Sequence, residues 1–346
     1  MTQVQIFFVT NRDYLGGKRV FGGSFNPDGV AALRFGRAEY ALSDGPPKRS
    51  GINVYPDGPR DGKPASASAA RGSAAFLNDL KKIMKDGCTD TLVFIHGYNV
   101  TFLEALDAAA SLTAQVSIGD KPINVVVFSW PSEGTAVPWM SYYSDREDAR
   151  ACGPALARTY LKLFDFVVGL DAQDYCGRNL HLLCHSMGNY VLRHGLQALR
   201  AKEPNRLVRL FSEIILAAPD EDDDAFELDT KLRQLPGLGR RVTVYHNEND
   251  RALLVSDKTK ANPDRLGSDG PRMLDLLPKK VVIVDCSRVA GEGDELIQHS
   301  YFVACPPVVT DLQQALSGVS ADAIGNREMI RAERAYRIRP NTRPST

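Results

Sequence analysis

One stretch constrains this chain more than any other, an apolar run that stops at a serine. Leu180-His181-Leu182-Leu183 reads as a buried strand, Ser186 follows it, and Tyr190 to Arg200 continues with helical spacing. Strand, sharp turn and helix therefore meet at one hydroxyl. In the turn written G-x-S-x-G, a strained backbone lifts the serine above the edge of a parallel sheet. Cys184-His185-Ser186-Met187-Gly188 fits that pattern with cysteine in place of the first glycine. The flanking positions must be small, because the returning helix crosses close to the strand, and cysteine is small.

The rest of the chain alternates in the same style. Leu92 to Ile95, Val125 to Phe128, Ile214 to Ala217, Val242 to Tyr245 and Val281 to Val284 are continuous apolar runs, as strands buried on both faces should be. Helical patterns run from Ser73 to Lys85, from Phe102 to Val116 and from Asp145 to Val168. This order predicts an α/β-hydrolase fold, a mostly parallel doubly wound sheet with helices on both faces. The interval from Asp220 to Arg241 is too short for a large cap domain, so the site is expected open or lightly covered. Residues 1–72, rich in Gly, Pro, Asp and Ser, read as an irregular, strand-containing extension packed on a catalytic domain at 73–320. Residues 321–346 read as a basic helix and tail.

Composition removes several classes. In 346 residues, 42 Lys and Arg balance 42 Asp and Glu, which asks for no nucleic acid and no anionic membrane. No membrane span is expected, and Met1 to Arg12 lacks the features of a signal peptide. The 6 cysteines are dispersed without a CxxC pair. Reduced thiols in a cytoplasmic protein are the expectation, with disulfides left open by the even count. The run Asp220 to Asp224 lacks the spaced ligands of a calcium loop and is read as the solvated start of a helix. No metal and no organic cofactor is expected.

A serine hydroxyl needs a base and an acid that orients the base. Of the 6 histidines, His96 and His181 precede the serine on strands, and His185 adjoins it. His194 lies within the following helix, and His246 comes before the favoured acid. His299 alone follows the last apolar strand, where this fold delivers its base. For the acid, Asp250 after the Val242 strand is favoured over Asp220 after the Ile214 strand, with Glu248 third. The oxyanion needs two N–H donors. Met187 supplies one and the loop His96-Gly97-Tyr98-Asn99 the other, through Tyr98 or, in reserve, Asn99. The segment from Ser129 to Asp145 carries Trp130, Trp139, Met140, Tyr142 and Tyr143 and is expected to wall the pocket. Trp130, Asn99 and Tyr143 are the substrate-contact candidates.

Seven motifs then stand in order: Phe7-Phe8-Val9-Thr10-Asn11-Arg12, Val93-Phe94-Ile95-His96-Gly97-Tyr98-Asn99, Phe128-Ser129-Trp130-Pro131-Ser132, His185-Ser186-Met187-Gly188-Asn189, Ala218-Pro219-Asp220, Asn249-Asp250 and His299-Ser300-Tyr301. Together they resemble the α/β hydrolases catalogued as domain of unknown function 900, described as esterase- or lipase-like. The resemblance implies a catalytic serine at Ser186, an acid at Asp250 and a base at His299, and it says little of substrate. The reading is a serine hydrolase that cleaves a small-molecule carboxylic ester. An acyltransferase or amidase on the same residues, and a non-catalytic interaction protein, are the rivals.

Overall fold

The computed structural model describes residues 2–18, 20–26, 28–56, 72–132, 138–253, 264–292, 296–332 and 334–340; the side chains of 31–32 and 138–141 are outside that description. The strands are β1 (Thr2–Thr10), β2 (Arg12–Gly16), β3 (Val20–Phe25), β4 (Arg34–Leu42), β5 (Lys48–Val54), β6 (Thr91–Ile95), β7 (Ser117–Ile118), β8 (Lys121–Pro122), β9 (Asn124–Ser129), β10 (Leu180–His185), β11 (Phe211–Ala217), β12 (Gly239–His246), β13 (Val281–Asp285), β14 (Arg327–Arg331) and β15 (Ala335–Ile338). The helices are α1 (Gly72–Gly87), α2 (Phe102–Gln115), α3 (Pro138–Ala151), α4 (Gly153–Val168), α5 (Gly188–Lys202), α6 (Tyr301–Ala304) and α7 (Pro306–Leu316).

Eleven strands form one sheet in the order β14-β15-β13-β12-β11-β10-β6-β9-β1-β4-β5. From β15 to β1 every neighbour pair is parallel, and antiparallel strands close both edges. The chain passes from β6 outward to β9 and then returns to β10 on the other side of β6. The carboxyl ends of β6 and β10 are thus the point where strand order reverses, the usual place for a site in such sheets. Side chains alternate strictly across the sheet: Phe7 and Val9 join one core with α1, α4 and α5, while Ile6 and Phe8 join the other with α2 and α7. The α/β-hydrolase architecture expected from the strand order is the one observed. Residues 218–238, between β11 and β12, contain turns and a single 3-10 turn at Leu235–Gly237.

Local chemistry sets the helix boundaries. Thr101 caps α2 through a reciprocal capping box with Glu104. The long pattern expected from Asp145 to Val168 is split at Cys152 because Pro154 opens α4, a position where its missing N–H costs nothing. The aromatic segment after β9 is not all loop, since α3 begins at Pro138.

Two boundaries are corrected. The described part of residues 1–72 is not an extension packed on the catalytic domain, since β1 lies inside the main sheet between β9 and β4. The residues after 320 form β14 and β15 rather than a solvated helix. Tyr336 and Ile338 bury on one face of β15 while charged neighbours line the edge, a pattern that edge strands tolerate well. Arg327 is buried against Asp311, with two 2.7 Å bonds. Residues 341–346 of the expected tail lie outside the described residues. All six cysteines are unpaired thiols, and only Cys88 is exposed. Among the described residues no helix is long and apolar enough to cross a membrane.

Candidate active site

Ser186 directly follows β10 with φ +51°, a left-handed conformation that a serine adopts at a cost of about 1–2 kcal/mol. Its own peptide groups hold it there. The N–H donates to the Ala217 carbonyl at 3.0 Å, and the Ser186 carbonyl accepts from Asn189 N–H at 3.0 Å, Asn189 Nδ2 at 3.0 Å and Asp220 N–H at 3.2 Å. Gly188 is required for close approach, because a Cβ there would stand 2.5 Å from the Ile95 carbonyl oxygen. Cys184 meets no such limit. It is fully buried in the apolar core, where burial pushes its thiol well above the ordinary range, so it packs as a small hydrophobe.

Asp250 and His299 meet although 49 residues separate them, with Asp250 Oδ2 at 2.7 Å from His299 Nδ1. The other oxygen of Asp250 accepts the Ala252 and Leu253 amides at 3.0 and 3.2 Å, so the carboxylate cannot swing away from the ring. Asn247 ties the two loops together by donating from Nδ2 to the Gln298 carbonyl at 2.9 Å, and Arg251 N–H donates to the Ile297 carbonyl at 3.1 Å. With Nδ1 donating to the carboxylate, Nε2 is left as the proton acceptor. The His299 ring lies 4.6 Å from that of His185, which brings it beside the residue before Ser186. His185 Nε2 is 3.3 Å from the His299 carbonyl oxygen, so a ring expected to point elsewhere contacts the His299 backbone.

The loop after β6 approaches from the other side. A Cβ on Gly97 would be 3.0 Å from Ser186 Cβ. The loop is fixed by Asp145, which accepts Asn99 N–H at 3.0 Å and Ser132 Oγ–H at 2.6 Å. Arg12 completes the frame. Fully buried, it donates to Ser129 Oγ at 3.0 Å, to the Gly22 and Ser132 carbonyls at 3.1 Å each and to the Val100 carbonyl at 2.7 Å. Burial lowers its pKa to about 10, which still leaves it charged at neutral pH. Among the described residues, neither Tyr98 N–H nor Met187 N–H meets a protein acceptor.

The aromatic wall is different from the expectation. Trp130 is fully buried, its ring stacked at 5.3 Å on His96 and its Nε1–H bonded to the His96 carbonyl at 2.9 Å. It supports the loop from beneath and presents no surface to a substrate. Tyr142 is buried and Tyr143 is 56% exposed. The side chains of Trp139 and Met140 lie outside the described residues. Asn99 spends its N–H on Asp145 and adopts φ +58°.

The other histidines are engaged elsewhere. His96 is held neutral, its pKa pushed down to about 3 by burial and by nearby Arg12. His181 meets Asp90 at 3.3 Å, His246 meets the Ser268 carbonyl at 3.1 Å, and His194 packs on Tyr190. Asp220 is buried, accepting Tyr142 OH at 2.7 Å and lying 3.9 Å from Arg265. The acidic run is not a solvated helix start. Residues 220–224 form turns, and Arg193, Lys231, Arg265 and Arg272 pair with them. Among the described residues no group of three or more His, Cys, Asp or Glu could hold a metal ion.

Residues 73–318 match the family model described as alpha/beta hydrolase of unknown function (DUF900). The chain belongs to this family. An uncharacterized protein of Nostoc sp., alr1448, is 24% identical over 185 residues, covering 46% of this chain and 45% of that protein. The chain thus spans less than half the length of that relative. The phospholipase PlaB of Legionella pneumophila aligns over 62% of this chain and 42% of its own, at 14% identity and a TM-score of 0.23. Membership of this family accounts for the α/β-hydrolase fold of the chain. Arg12, Asp145, Ser132 and Asn247 carry structural roles that spacing alone did not assign; Arg12 and Asn247 stand directly against apolar strand ends, whereas Ser132 and Asp145, the latter within α3, carry no such local signal.

Proposed function

We propose that this hydrolase cleaves carboxylic esters through an acyl-enzyme on Ser186. The observation that carries the reading is the 2.7 Å contact of Asp250 with His299 Nδ1, beside a serine held at positive φ. Ser186 Oγ attacks the acyl carbonyl while His299 Nε2 takes its proton. Asp250 holds the resulting imidazolium. The amides of Tyr98 and Met187 receive the oxyanion, a contribution worth about 10²- to 10³-fold per donor. Collapse expels the alcohol, protonated by His299, and water repeats the sequence to release the acid. An ester is favoured over an amide because its alkoxide leaves more readily. The substrate is a small molecule that reaches the serine between the loops after β6, β9 and β13.

The test is covalent. A fluorophosphonate is expected to label the wild-type protein once, at Ser186, and p-nitrophenyl esters to be hydrolysed. Ser186→Ala removes both. Failure of the wild type to label and to cleave any activated ester across a chain-length series would overturn the reading.

A further inference from the structure

Beneath one face of the sheet an apolar crevice reaches from Val9 and Ile95 to Leu180 and Phe211, where it runs into a cleft lined by cations at the amino ends of the strands. The crevice, about 90 Å³, lies between the sheet and α1, α4 and α5, walled by side chains such as Phe76, Leu156, Leu182 and Leu196. Of its polar groups, Thr91 Oγ1 is buried without a hydrogen-bond partner among the described residues, while Tyr160 and Lys162 are engaged. Tyr160 OH bonds the Arg206 and Val208 carbonyls at 2.9 Å each, and Lys162 Nζ bonds Ser73 Oγ at 2.8 Å. Well-packed cores hold few voids larger than a water, and a void walled by carbon stays dry. Along α5 the lining reaches from Leu199 to Leu192, about 10 Å at 1.5 Å per residue.

Leu77, Leu80, Leu163, Leu180 and Phe211 line both this crevice and the adjoining cleft of about 410 Å³. Around the cleft stand Lys81, Arg178, Arg209 and Arg240, and no carboxylate is among its lining residues. That imbalance is local, since the whole sequence has a net charge of zero. Lys81 and Arg240 have partners in Asp174 at 3.4 Å and Glu213 at 2.9 Å. Among the described residues Arg178 and Arg209 form no ion pair, and both are exposed.

We propose that crevice and cleft together bind the anion of a single-chain fatty acid, its alkyl chain along the apolar residues that the two share with only its methyl end in the crevice, and its carboxylate between Arg178 and Arg209. Inorganic phosphate or a nucleotide would match the cations and leave the carbon-lined crevice empty. A neutral hydrocarbon would fill the crevice and leave the guanidinium groups unmatched. A carboxylate on an alkyl chain satisfies both, and arginine pairs with carboxylate in a bidentate geometry. This site lies apart from Ser186 and does not depend on the reaction proposed there.

Calorimetric titration of the full chain with octanoate, decanoate and dodecanoate, each below its micellar concentration, tests the proposal. One site is expected, with affinity rising about fourfold per added methylene while the crevice fills. The double variant Arg178→Glu/Arg209→Glu, at exposed positions, should bind dodecanoate at least about tenfold more weakly with an unchanged Tm. In a Cys88→Ser background, dodecanoate should slow alkylation of Cys176, which lines the cleft. Four outcomes would overturn the idea: no binding of any chain length, dodecyltrimethylammonium or phosphate binding as tightly as dodecanoate, undiminished binding by the double variant, or self-association through this cleft in place of fatty-acid binding.

Discussion

Asp250 and Asp220 leave neighbouring parallel strands at the same edge of one sheet, and both are buried, yet they are held by different chemistry. Asp250 has histidine as its side-chain partner, 2.7 Å away, with its second oxygen on backbone amides. Asp220 has the Tyr142 hydroxyl and the fully buried Arg265. A histidine partner can accept and return a proton near neutral pH. An arginine keeps its proton throughout, so the second arrangement is a fixed charge pattern that joins loops. The two carboxylates occupy equivalent places in the fold, and their partners separate the proposed reaction centre from a structural one.

The sharpest way to break that contrast is to neutralise each carboxylate without changing its shape. Asp250→Asn should lower kcat for an activated ester by about 10⁴-fold, because the amide favours the wrong imidazole tautomer, and should move the denaturation midpoint little. Asp220→Asn should do the reverse. It leaves kcat within about tenfold of wild type and costs about 1 kcal/mol of stability, since Arg265 keeps Asp222 at 2.7 Å and loses a charge 3.9 Å away. Steady-state kinetics and urea denaturation of the two variants decide the matter, and comparable rate losses in both would erase the distinction.

A smaller effect sharpens the structural side. Glu221, next to Asp220, is 1% exposed, and burial pushes its carboxyl from 4.5 up to about 7 despite Arg193 at 3.3 Å. Between those two values the folded chain holds a proton that the unfolded chain has released. Stability from this group is therefore complete below pH 4.5 and is lost as pH rises through 7, by about 3 kcal/mol in all. Glu221→Gln should flatten that part of the profile and gain stability relative to wild type at pH 8. Parallel midpoint-against-pH curves for the two proteins would show that Glu221 is not buried as a protonated acid.

Much of the reaction edge was legible in the sequence because each element announced itself locally. An apolar run broken at Ser186, a histidine after the last apolar strand and a carboxylate one strand earlier need no knowledge of distant partners. The structural centre was not legible for the opposite reason. The run Asp220 to Asp224 reads as solvated until Arg265, 43 residues beyond Asp222, is placed 2.7 Å from it. Arg12 reads as the polar end of a strand until the Ser132 carbonyl, 120 residues on, accepts its bond. The arginines around β15 likewise hid a strand whose Tyr336 and Ile338 are buried. Polarity is written in the residue; whether a remote partner neutralises it is decided by topology. Trp130 is the mirror case, an aromatic expected at the surface of a pocket that topology buried on His96.

The smallest expected effect falls on the proposed reaction centre itself and concerns how its proposed base is held. Asp250 orients the His299 ring from the side-chain end, while His185 reaches the backbone end, Nε2 to the carbonyl oxygen at 3.3 Å. To donate there, Nε2 must carry the proton, and burial keeps the His185 pKa well below its usual value, so the ring stays neutral in that one tautomer. His185→Phe preserves a ring against His299 and Phe302 but removes the donor. A net hydrogen bond of about 1 kcal/mol predicts a loss near fivefold in kcat/KM, in fluorophosphonate labelling rate as well as turnover, with KM unchanged. His185→Gln, which restores a donor of similar reach, should recover most of the loss. If His185→Phe instead lowers Tm without touching either rate, His185 is packing alone, and the base is held from its Asp250 side only.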